Sequence, residues 1–378
     1  MKIAFVIESM GIGGAEQSLL SLLKNYNFGS DEVHLFLIHT DGKLIGKLPD
    51  FVKINEIKRK EPSFYQRLRF LIARKANFKK MHHAQIFWTI MSNNFTVTDN
   101  TFDVAIAYSQ GFSTYYVAEK FNSKKKIAWN NVDFTEVGYK PSFDGRFYRK
   151  FDYVALVSEH SKKKFNSTFD SAELKEKAKV VYDITDVGAI LEKSNFHQTE
   201  ISKTNTINLL TAGRMEAVKG YDIAIETARL LKQSSVSFHW YFLGDGSQRK
   251  ELETMAGQMK LENEISFLGR KENPYPYMKA CDIYVQPSRH EGWGLTLVEA
   301  KVLGKAVVST NFPTASEILK ENINGLIAEM NPVSLSKQIQ RLIQDKQLRE
   351  KLSTDIIQQT EDRKRETLET IRTLFLKI

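Results

Sequence analysis

The sequence is poor in cysteine and proline. One of its 378 residues is a cysteine, Cys281, and eight are prolines. A single cysteine excludes a disulfide framework, and with 42% hydrophobic residues a chain of this length can build a core without cross-links. The low proline content, together with only 20 glycines, excludes collagen-like and low-complexity classes. We expect a globular cytoplasmic protein of two to three domains.

Long apolar runs and common metal signatures are also missing. No run approaches the roughly 18 apolar residues of a membrane-spanning helix, and the short N-terminal stretch ends at Glu8, so it predicts neither a signal peptide nor an anchor. The sequence has no Asp-x-Asp pair, no Cys-x-x-Cys, no His-Glu-x-x-His and no Gly-x-x-x-x-Gly-Lys-Ser/Thr loop. We therefore expect no metal site and no cofactor.

Strand-like and helix-like segments alternate along the chain. This alternation predicts mostly parallel sheets that carry helices on both faces. The predicted strands are Lys2–Ile7, Val33–Ile38, Val104–Ala107, Lys126–Trp129 and Tyr153–Val157, followed by Ile207–Ala212, Val236–Leu243, Ile265–Leu268, Ile283–Gln286 and Ala306–Ser309. Helices are predicted at Pro332–Leu352 and over 356–378.

A polar segment without periodicity, 191–206, divides this alternation into two halves. We interpret it as a linker between a Rossmann-like domain over 1–190 and a second one over 207–355. The terminal helix, 356–378, is predicted to pack back on the N-terminal domain. The fold class is α/β, with two doubly wound domains facing a central cleft, where ligands of open α/β sheets bind.

A glycine loop follows the first predicted strand. Gly11, Gly13 and Gly14 precede a helical stretch, and such glycines allow backbone N–H groups to approach an anion at a helix N-terminus. A dinucleotide fingerprint that begins at Gly11 needs a small residue at position 16, where this chain has Glu16. The loop therefore indicates an anion-binding turn, or a tight turn without a ligand, and disfavours an NAD site.

The most specific motif surrounds a second glycine loop. Glu291 and Glu299 are separated by seven residues that include Gly294 and that enter a helix. At about 1.5 Å per residue the two carboxylates would lie about 12 Å apart in a continuous helix, which is the span of a diphosphate with a sugar on either side. First-turn N–H groups of such a helix attract phosphate. The alternative is that Glu291 is a loop charge and Glu299 a solvated helix residue.

Two cations follow a strand upstream of this motif. Gly213 and Arg214 come directly after the strand Ile207–Ala212, and Lys219 precedes the next helix. Arginine offers a planar fork of donors and lysine a point charge, so the pair suits a diphosphate leaving group. With no chelated metal expected, side chains and helix ends have to neutralise the charge of the transition state.

Together these motifs resemble the family-4 retaining glycosyltransferases of the GT-B fold, over nearly the whole chain. The resemblance implies a metal-independent enzyme that moves a sugar from a nucleotide sugar to an acceptor with retention of configuration. It also implies an acceptor mainly in the N-terminal domain and a donor in the C-terminal one. The motifs that carry it are Gly13-Gly14-Ala15-Glu16, Gly213-Arg214, Lys219-Gly220, Gly244-Asp245-Gly246 and Glu291 with Glu299.

The resemblance also implies a role for each matched residue. Arg214 and Lys219 would hold the donor diphosphate and stabilise charge as the nucleotide leaves, while Glu299 would bind the ribose and Glu291 a hydroxyl of the donor sugar. The leaving phosphate oxygen would itself accept the proton of the acceptor. The donor-binding residues implied in this way are Gly13, Gly14, Gly213, Arg214, Lys219, Gly294, Leu295, Thr296 and Glu299, the residues 294–296 acting through backbone N–H groups.

The sequence departs from the family pattern at two positions. Asn131, in Trp129-Asn130-Asn131-Val132-Asp133, stands where many members carry a histidine, and Asp183 stands where an asparagine is common. Asn131 is counted with Glu291, Arg214 and Lys219 among the candidate catalytic residues. An amide donates a hydrogen bond to a sugar hydroxyl but supplies no ionisable group near pH 7.

Most of the excess positive charge lies in one segment. The formal charge of the chain is +9, and 58–80 carries nine cations against one anion, Glu61. Its apolar residues recur at helical spacing, so the segment predicts a basic amphipathic helix. Two interpretations remain open, an anionic membrane surface bound through Arg67, Arg69, Arg74 and Lys75, or a solvated helix packed on the N-terminal sheet.

Three functions follow from these patterns. The leading hypothesis is a transferase that extends a lipid-linked surface glycan, with a UDP-linked sugar as donor, a glycan or glycolipid as acceptor, and a peripheral position on the inner face of the cell membrane. The alternative is a catalytically silent subunit that binds a nucleotide sugar. A nucleic-acid-binding protein is disfavoured, because no aromatic platform accompanies the basic segment.

Overall fold

The predicted alternation forms two separate parallel sheets, each in its own unit. The computed structural model describes residues 1–77, 81–98, 100–131, 138–196, 199–201 and 206–376. Unit 1 consists of Met1–Ile184 and Lys364–Ile378, and unit 2 of Thr185–Arg363. The prediction of two Rossmann-like, doubly wound α/β domains is confirmed. The central cleft between them stays a prediction.

Unit 1 is built on a seven-stranded sheet with the order β3-β2-β1-β4-β5-β6-β7, in which all neighbours are parallel. Its strands are β1 Lys2–Val6, β2 Glu32–Leu37, β3 Val52–Glu56, β4 Phe102–Ala107, β5 Ser123–Asn130, β6 Tyr153–Leu156 and β7 Ala178–Val180. Its helices are α1 Gly14–Asn25, α2 Phe64–Asn77, α3 His83–Met91, α4 Phe112–Lys120, α5 Pro141–Tyr148, α6 Glu159–Thr168 and α7 Ala172–Lys177.

Both faces of the unit 1 sheet are covered. Along β1, Ile3 and Phe5 belong to one buried cluster, whereas Ala4 and Val6 belong to another. Successive side chains of a strand point to opposite faces, so the alternation between clusters means that apolar groups pack on each side. This is why β1 is a continuous apolar run rather than an alternating one.

Unit 2 is built on a six-stranded parallel sheet with the order β10-β9-β8-β11-β12-β13. Its strands are β8 Ile207–Ala212, β9 Phe238–Leu243, β10 Ile265–Gly269, β11 Ile283–Gln286, β12 Ala306–Thr310 and β13 Leu326–Ala328. Its helices are α8 Val187–Ser194, α9 Tyr221–Gln233, α10 Arg249–Gln258, α11 Tyr275–Ala280, α12 Leu295–Val302, α13 Ala315–Ile318, α14 Pro332–Gln344 and α15 Lys346–Leu352.

Several elements differ from the sequence-based expectation. The short strands β3, β7 and β13 were not expected, and the single helix predicted over Pro332–Leu352 is wrong, because α14 and α15 meet at Asp345. Asp345 has an extended backbone and accepts a hydrogen bond from the backbone N–H of Leu348, so it ends one helix and caps the next. The start of the predicted linker, Leu191–Ser194, is the last turn of α8.

The last helix, α16 (Ile357–Leu376), begins in unit 2 and ends in unit 1. Ile371, Leu374 and Phe375 are buried in the same cluster as Phe5. The side chain of Lys125 donates to the carbonyl groups of Leu374 and Phe375, at 3.2 Å each. A buried ammonium thus satisfies carbonyls at the helix C-terminus that have no partner within the helix.

Candidate functional site

In unit 2 the candidate residues follow the two strands at which the sheet order reverses. From β8 the chain runs outward to β9 and β10, and from the neighbouring β11 it runs outward to β12 and β13. Gly213 and Arg214 follow the carboxyl end of β8, and Glu291 follows that of β11. Ligands of open α/β sheets bind in the crevice that such a reversal opens.

Two glycines allow the loops at this end of the sheet to come together. Gly220, the residue before α9, has a φ of 66°, and a Cβ added to it would lie 2.0 Å from the carbonyl oxygen of Pro287. Gly294, the residue before α12, has a φ of 96°. Larger residues would be strained at both positions, and at Gly220 they would also push the loop after β11 away.

Glu291 is the centre of a hydrogen-bond network. Lys219 Nζ lies 2.8 Å from Oε1 and 2.7 Å from Oε2 of this carboxylate. Gln286 Nε2 and Ser288 Oγ donate to Oε1 at 2.7 and 2.6 Å. The structure therefore brings the predicted residues Lys219 and Glu291 into direct contact, which the sequence did not indicate.

A clamp holds the two loops that carry this pair. The Arg289 guanidinium donates to both carboxylate oxygens of Asp222, at 2.7 and 2.5 Å, and to the carbonyl group of Ala217 at 2.8 Å. The backbone N–H of Arg289 also donates to the carbonyl group of Val218 at 2.8 Å. Planar bidentate pairs of this kind fix geometry as well as contributing energy, so the loop of Lys219 is held against that of Glu291.

Arg214 and Lys219 stand in different electrostatic surroundings. The Lys219 ammonium is neutralised by Glu291, and the side chains are 20% and 9% exposed. The Arg214 side chain is exposed, and within the described part of the chain its guanidinium forms no hydrogen bond or ion pair, although its charge helps to lower the pKa of Glu216. Arg214 is therefore the cation of this pair that is available to an added phosphate.

Glu299 lies on α12, one helical turn beyond the glycine loop. Tyr275 OH donates to its Oε1 at 3.1 Å. Burial raises the pKa of the Glu299 carboxyl to about 7, against the smaller opposing effects of Tyr275 and of the charge of Lys193. The alternative in which Glu299 is a solvated helix residue is therefore wrong. The charge of the Glu299 carboxyl changes near neutral pH.

The first turn of α12 presents backbone donors beside Glu291. Gly294 precedes the helix and has no side chain to cap it, and Leu295 and Thr296 begin it. The Thr296 hydroxyl donates to Gln286 Oε1 at 3.0 Å, so its side chain is already engaged. The N–H groups of Leu297 and Val298 donate to the carbonyl group of Gly294, whereas those of Leu295 and Thr296 precede the first bond of the helix, which is the arrangement that attracts an anion.

In unit 1 the predicted glycine loop precedes α1. Gly13 is the residue before the helix, with an extended backbone, and Gly14 begins it. A Cβ added to Gly13 would lie 2.3 Å from Oε2 of Glu16, whereas one added to Gly14 would meet nothing within 4 Å. The Glu16 carboxylate thus lies against the loop at the positive end of its own helix.

Asn131 lies beside a group of buried polar residues at the carboxyl ends of β4, β5 and β7. Its Nδ2 donates to the carbonyl group of Tyr108 at 2.9 Å, and Tyr108 stacks on Trp129 with ring centroids 4.8 Å apart. Ser18 is hydrogen-bonded to Tyr108 OH and to Asp183. Burial raises the pKa of Asp183 to about 6. Val132 and Asp133 lie outside the described residues.

The basic segment forms a helix that is shorter than predicted. α2 begins at Phe64, so Lys58, Arg59 and Lys60 precede it, and residues 78–80 lie outside the described residues. Phe70 meets Phe87 of α3 edge-on, and Gln66 donates to Asn94, which lies in the turn after α3, at 2.7 Å.

The apolar face predicted for this helix points away from α3. This face is predicted from Phe64, Leu68, Leu71, Ile72 and Phe78; the first four are 75%, 43%, 55% and 59% exposed, and Phe78 lies outside the described residues. The interpretation in which this face packs on the sheet is therefore wrong. Among the residues that the structure describes, no helix is both long enough and apolar enough to cross a membrane.

Sequence reasoning missed the residues that hold the predicted ones in place. Gln286 and Ser288 lie just before the motif that begins at Glu291 and were given no role, and Tyr275 and Ser18 were not singled out. The signal that could have indicated Gln286 is its position as a polar residue at the end of an otherwise apolar strand, Ile283–Gln286. Tyr275 and Ser18 act through contacts distant in sequence and left no local signal.

Comparison with known proteins finds a family match within the C-terminal half of the chain. Residues 192–359 match the family model described as glycosyl transferases group 1. An uncharacterized glycosyltransferase of Methanocaldococcus jannaschii is 28% identical over 221 residues, which span 56% of this chain and 57% of the relative. The Campylobacter jejuni N-acetylgalactosamine-N,N'-diacetylbacillosaminyl-diphospho-undecaprenol 4-alpha-N-acetylgalactosaminyltransferase is 24% identical over 92% of both chains.

The fold is shared with a solved structure along the whole chain. The crystal structure of Anabaena HepE in complex with UDP and glucose superposes with a TM-score of 0.75 and 20% sequence identity, covering 99% of this chain and 100% of HepE. At that identity the likeness shows the fold. The matched family model and the named relatives, rather than this likeness, identify residues 192–359 as a glycosyl transferases group 1 domain.

Proposed function

We propose that this glycosyltransferase moves a sugar from a UDP-linked donor to a lipid-linked glycan, with retention of configuration and without a metal ion. The observation that carries the proposal is the contact of Lys219 with Glu291 at the carboxyl ends of β8 and β11. In this proposal the contact fixes the carboxylate that binds the donor sugar beside the phosphate site, where Arg214 supplies the available cation; the resemblance to the family-4 enzymes implies these roles.

Each candidate residue has chemistry suited to this reaction. Arg214 offers an unpaired guanidinium to the diphosphate, and the N–H groups of Leu295 and Thr296 offer further donors at the start of α12. Glu299, on the same helix, offers a carboxyl group to the ribose hydroxyls. These groups supply the positive charge that metal-dependent transferases take from a divalent ion, so we expect no metal requirement.

The choice of donor and acceptor rests on the relatives. HepE was solved with UDP and glucose, and the name of the Campylobacter relative describes transfer to a sugar on diphospho-undecaprenol. The Campylobacter relative aligns over 92% of both chains, which favours a similar class of substrate. We infer a UDP-sugar as donor and a glycan linked to a lipid diphosphate as acceptor.

A donor panel in EDTA tests the proposal. UDP-glucose, UDP-galactose, UDP-N-acetylglucosamine and UDP-N-acetylgalactosamine are incubated with the protein and with a lipid-diphosphate glycan, and UDP release is measured. We expect at least one donor to be consumed at the same rate with and without EDTA, and we expect Glu291→Gln to slow that reaction at least tenfold. The proposal fails if no donor is bound or consumed, or if EDTA abolishes turnover.

The same panel separates a silent subunit from an enzyme. Asn131 supplies no ionisable group, and its Nδ2 already donates to a backbone carbonyl. Saturable UDP-sugar binding without turnover on any acceptor would favour the silent subunit.

We further propose that α2 docks the protein on an anionic membrane surface. Its exposed apolar stripe is formed by Phe64, Leu68, Leu71 and Ile72, and at 100° per residue Arg67 and Arg74 lie on one side of it and Arg69 on the other. Apolar groups flanked by cations match a surface of acyl chains beneath anionic headgroups. An enzyme docked in this way would meet a lipid-linked acceptor at the inner face of the cell membrane.

A further inference from the structure

The two carboxylate oxygens of Glu291 are held unequally. Oε1 accepts three hydrogen bonds, from Lys219, Gln286 and Ser288, at 2.8, 2.7 and 2.6 Å. Among the described residues, Oε2 accepts from Lys219 alone, at 2.7 Å. A carboxylate oxygen offers about two lone-pair sites, so Oε1 is saturated while Oε2 retains capacity for one more donor.

The orientation of the Gln286 amide follows from its four partners. The Glu291 carboxylate accepts and does not donate, so the amide nitrogen must be the atom that faces it. The same nitrogen donates to Ser288 Oγ at 2.8 Å. On the other side, Oε1 of Gln286 accepts from Tyr284 OH at 2.9 Å and from the Thr296 hydroxyl at 3.0 Å. All four positions of the amide are thus filled.

Ser288 completes the arrangement. Its hydroxyl accepts from Gln286 and donates its single proton to Glu291 Oε1. The backbone carbonyl group of Ser288 accepts a hydrogen bond from the Thr310 hydroxyl, and this bond fixes the loop after β11. Gln286 is 2% exposed and Ser288 fully buried, so water does not compete for these bonds.

We propose that Gln286 and Ser288 are positioning residues for donor-sugar recognition: they saturate Oε1 of Glu291, so that Oε2 is the oxygen that accepts a hydroxyl of the donor sugar. The inference deepens the proposed function and rests on it. Gln286 also accepts from the Thr296 hydroxyl, which is distinct from the backbone N–H group of Thr296 that is proposed to bind phosphate, so the role of Gln286 is confined to Glu291.

The test compares a nucleotide with its sugar conjugate. Affinities for UDP, and for whichever of the four UDP-sugars binds more tightly than UDP, are measured by calorimetry for the full-length wild type and for Gln286→Met and Ser288→Ala. Both substitutions approximately preserve the volume of the side chain. Each removes one of the two neutral donors to Oε1 of Glu291 and leaves Lys219 in place. The control is Ser336→Ala, which removes a buried hydroxyl that donates to the carbonyl group of Val333 on α14. Thermal unfolding checks that every variant is folded.

We expect Gln286→Met and Ser288→Ala to bind UDP within twofold of wild type and to bind the UDP-sugar about tenfold more weakly, as the loss of one hydrogen bond implies. Ser336→Ala should leave both affinities unchanged. A merely structural role would lower both affinities together. That result, or an unchanged UDP-sugar affinity in folded variants, overturns the inference.

The wild type and Glu291→Gln separate this failure from failure of the proposed function. If the wild type binds a UDP-sugar more tightly than UDP and Glu291→Gln removes the difference, the proposed function stands whatever the two positioning variants do. If no UDP-sugar exceeds UDP in affinity and Glu291→Gln changes nothing, the proposed function fails and the inference fails with it.

Discussion

At the scale of single residues, Glu299 makes donor binding depend on pH. Its carboxyl has a pKa of about 7 because it is buried, and the ionised form is the better acceptor for ribose hydroxyls. We expect UDP affinity to fall as the pH drops from 8.5 to 5.5, with most of the change near pH 7. Calorimetry on wild type and Glu299→Gln measures this, because the glutamine accepts hydrogen bonds without titrating and so corrects for the protons of UDP itself.

The same group makes stability depend on pH in the opposite direction. A folded pKa raised above the unfolded value means that the protonated form favours the fold, and this contribution is lost as the pH rises from the ordinary value, 4.5, through about 7. The melting temperature of the wild type should therefore fall relative to Glu299→Gln between pH 5 and pH 8.5. Parallel profiles for the two proteins would contradict the assigned pKa.

Removing Lys219 should lower the stability of the fold as well as donor binding. Lys219→Met leaves the largely buried carboxylate of Glu291 without its cation, and we expect a loss of about 2 kcal/mol in the free energy of unfolding. The double variant with Glu291→Gln should lose less than Lys219→Met alone. Denaturant unfolding of the two single variants and the double variant measures the coupling, and strictly additive losses would contradict it.

Residue identities were largely predictable from the sequence, but their partners were not. Glu291, Glu299, Arg214 and Lys219 stand out because glycine loops and strand ends mark them locally. That Lys219 pairs with Glu291, 72 positions away, depends on β8 and β11 being neighbours, which no local pattern states. The pKa of Glu299 likewise depends on tertiary structure, because burial raises it and the hydrogen bond from Tyr275, 24 positions away, opposes that rise.

At the scale of elements, α2 exposes an apolar stripe that we propose binds a membrane surface. Neutralising Arg69, Arg74 and Lys75 to glutamine should weaken binding to anionic vesicles about 100-fold, because each cation near the surface contributes about 1 kcal/mol. Flotation with vesicles of 30% and of no phosphatidylserine measures this. The matched control neutralises three lysines of α6, Lys162, Lys163 and Lys164, and should change little.

Two outcomes of that experiment would contradict membrane docking. Flotation that does not depend on anionic lipid would remove the electrostatic part, and equal losses in the α2 and α6 variants would make the effect one of net charge alone. Serine in place of Phe64 and Tyr65, which are 75% and 81% exposed, tests the apolar part separately.

Helix boundaries were less predictable than the helices themselves. The pattern from Pro332 to Leu352 is compatible with one helix, and only the backbone at Asp345 divides it. An aspartate inside a periodic segment either continues the helix or caps the next one, and tertiary packing decides between the two. The basic segment was likewise recognised as a helix, although α2 begins only at Phe64.

At the scale of the whole molecule, the core of unit 1 is completed by the end of the chain. Phe375 packs edge-on against Phe5 and Tyr26, with ring centroids 6.4 and 5.4 Å apart. Phe375→Ala should lower the free energy of unfolding by about 3 to 4 kcal/mol, as for other large core truncations. Leu376→Ala is the control, because Leu376 is 51% exposed. Similar losses for the two variants would contradict this account.

Two doubly wound domains could be predicted from the sequence because the alternation of strands and helices restarts after a polar gap. The boundaries of the two units do not coincide with the polar gap, and unit 1 consists of two separate stretches of the chain. Unit 2 begins at Thr185, before the polar gap, because α8 packs with α11 and α12, and the boundary near the C-terminus falls inside α16, between Arg363 and Lys364.

The boundary between the two units inside α16 determines the order in which the units can fold during synthesis. The first 184 residues leave the ribosome before unit 2 does, yet Ile371, Leu374 and Phe375, which close their core, leave only after unit 2. Unit 2 is complete once Arg363 has emerged, whereas unit 1 keeps an open apolar groove until Phe375 has emerged as well. Of the two units, the one made first is the one finished last, and it is the one that needs protection from aggregation while the chain is growing.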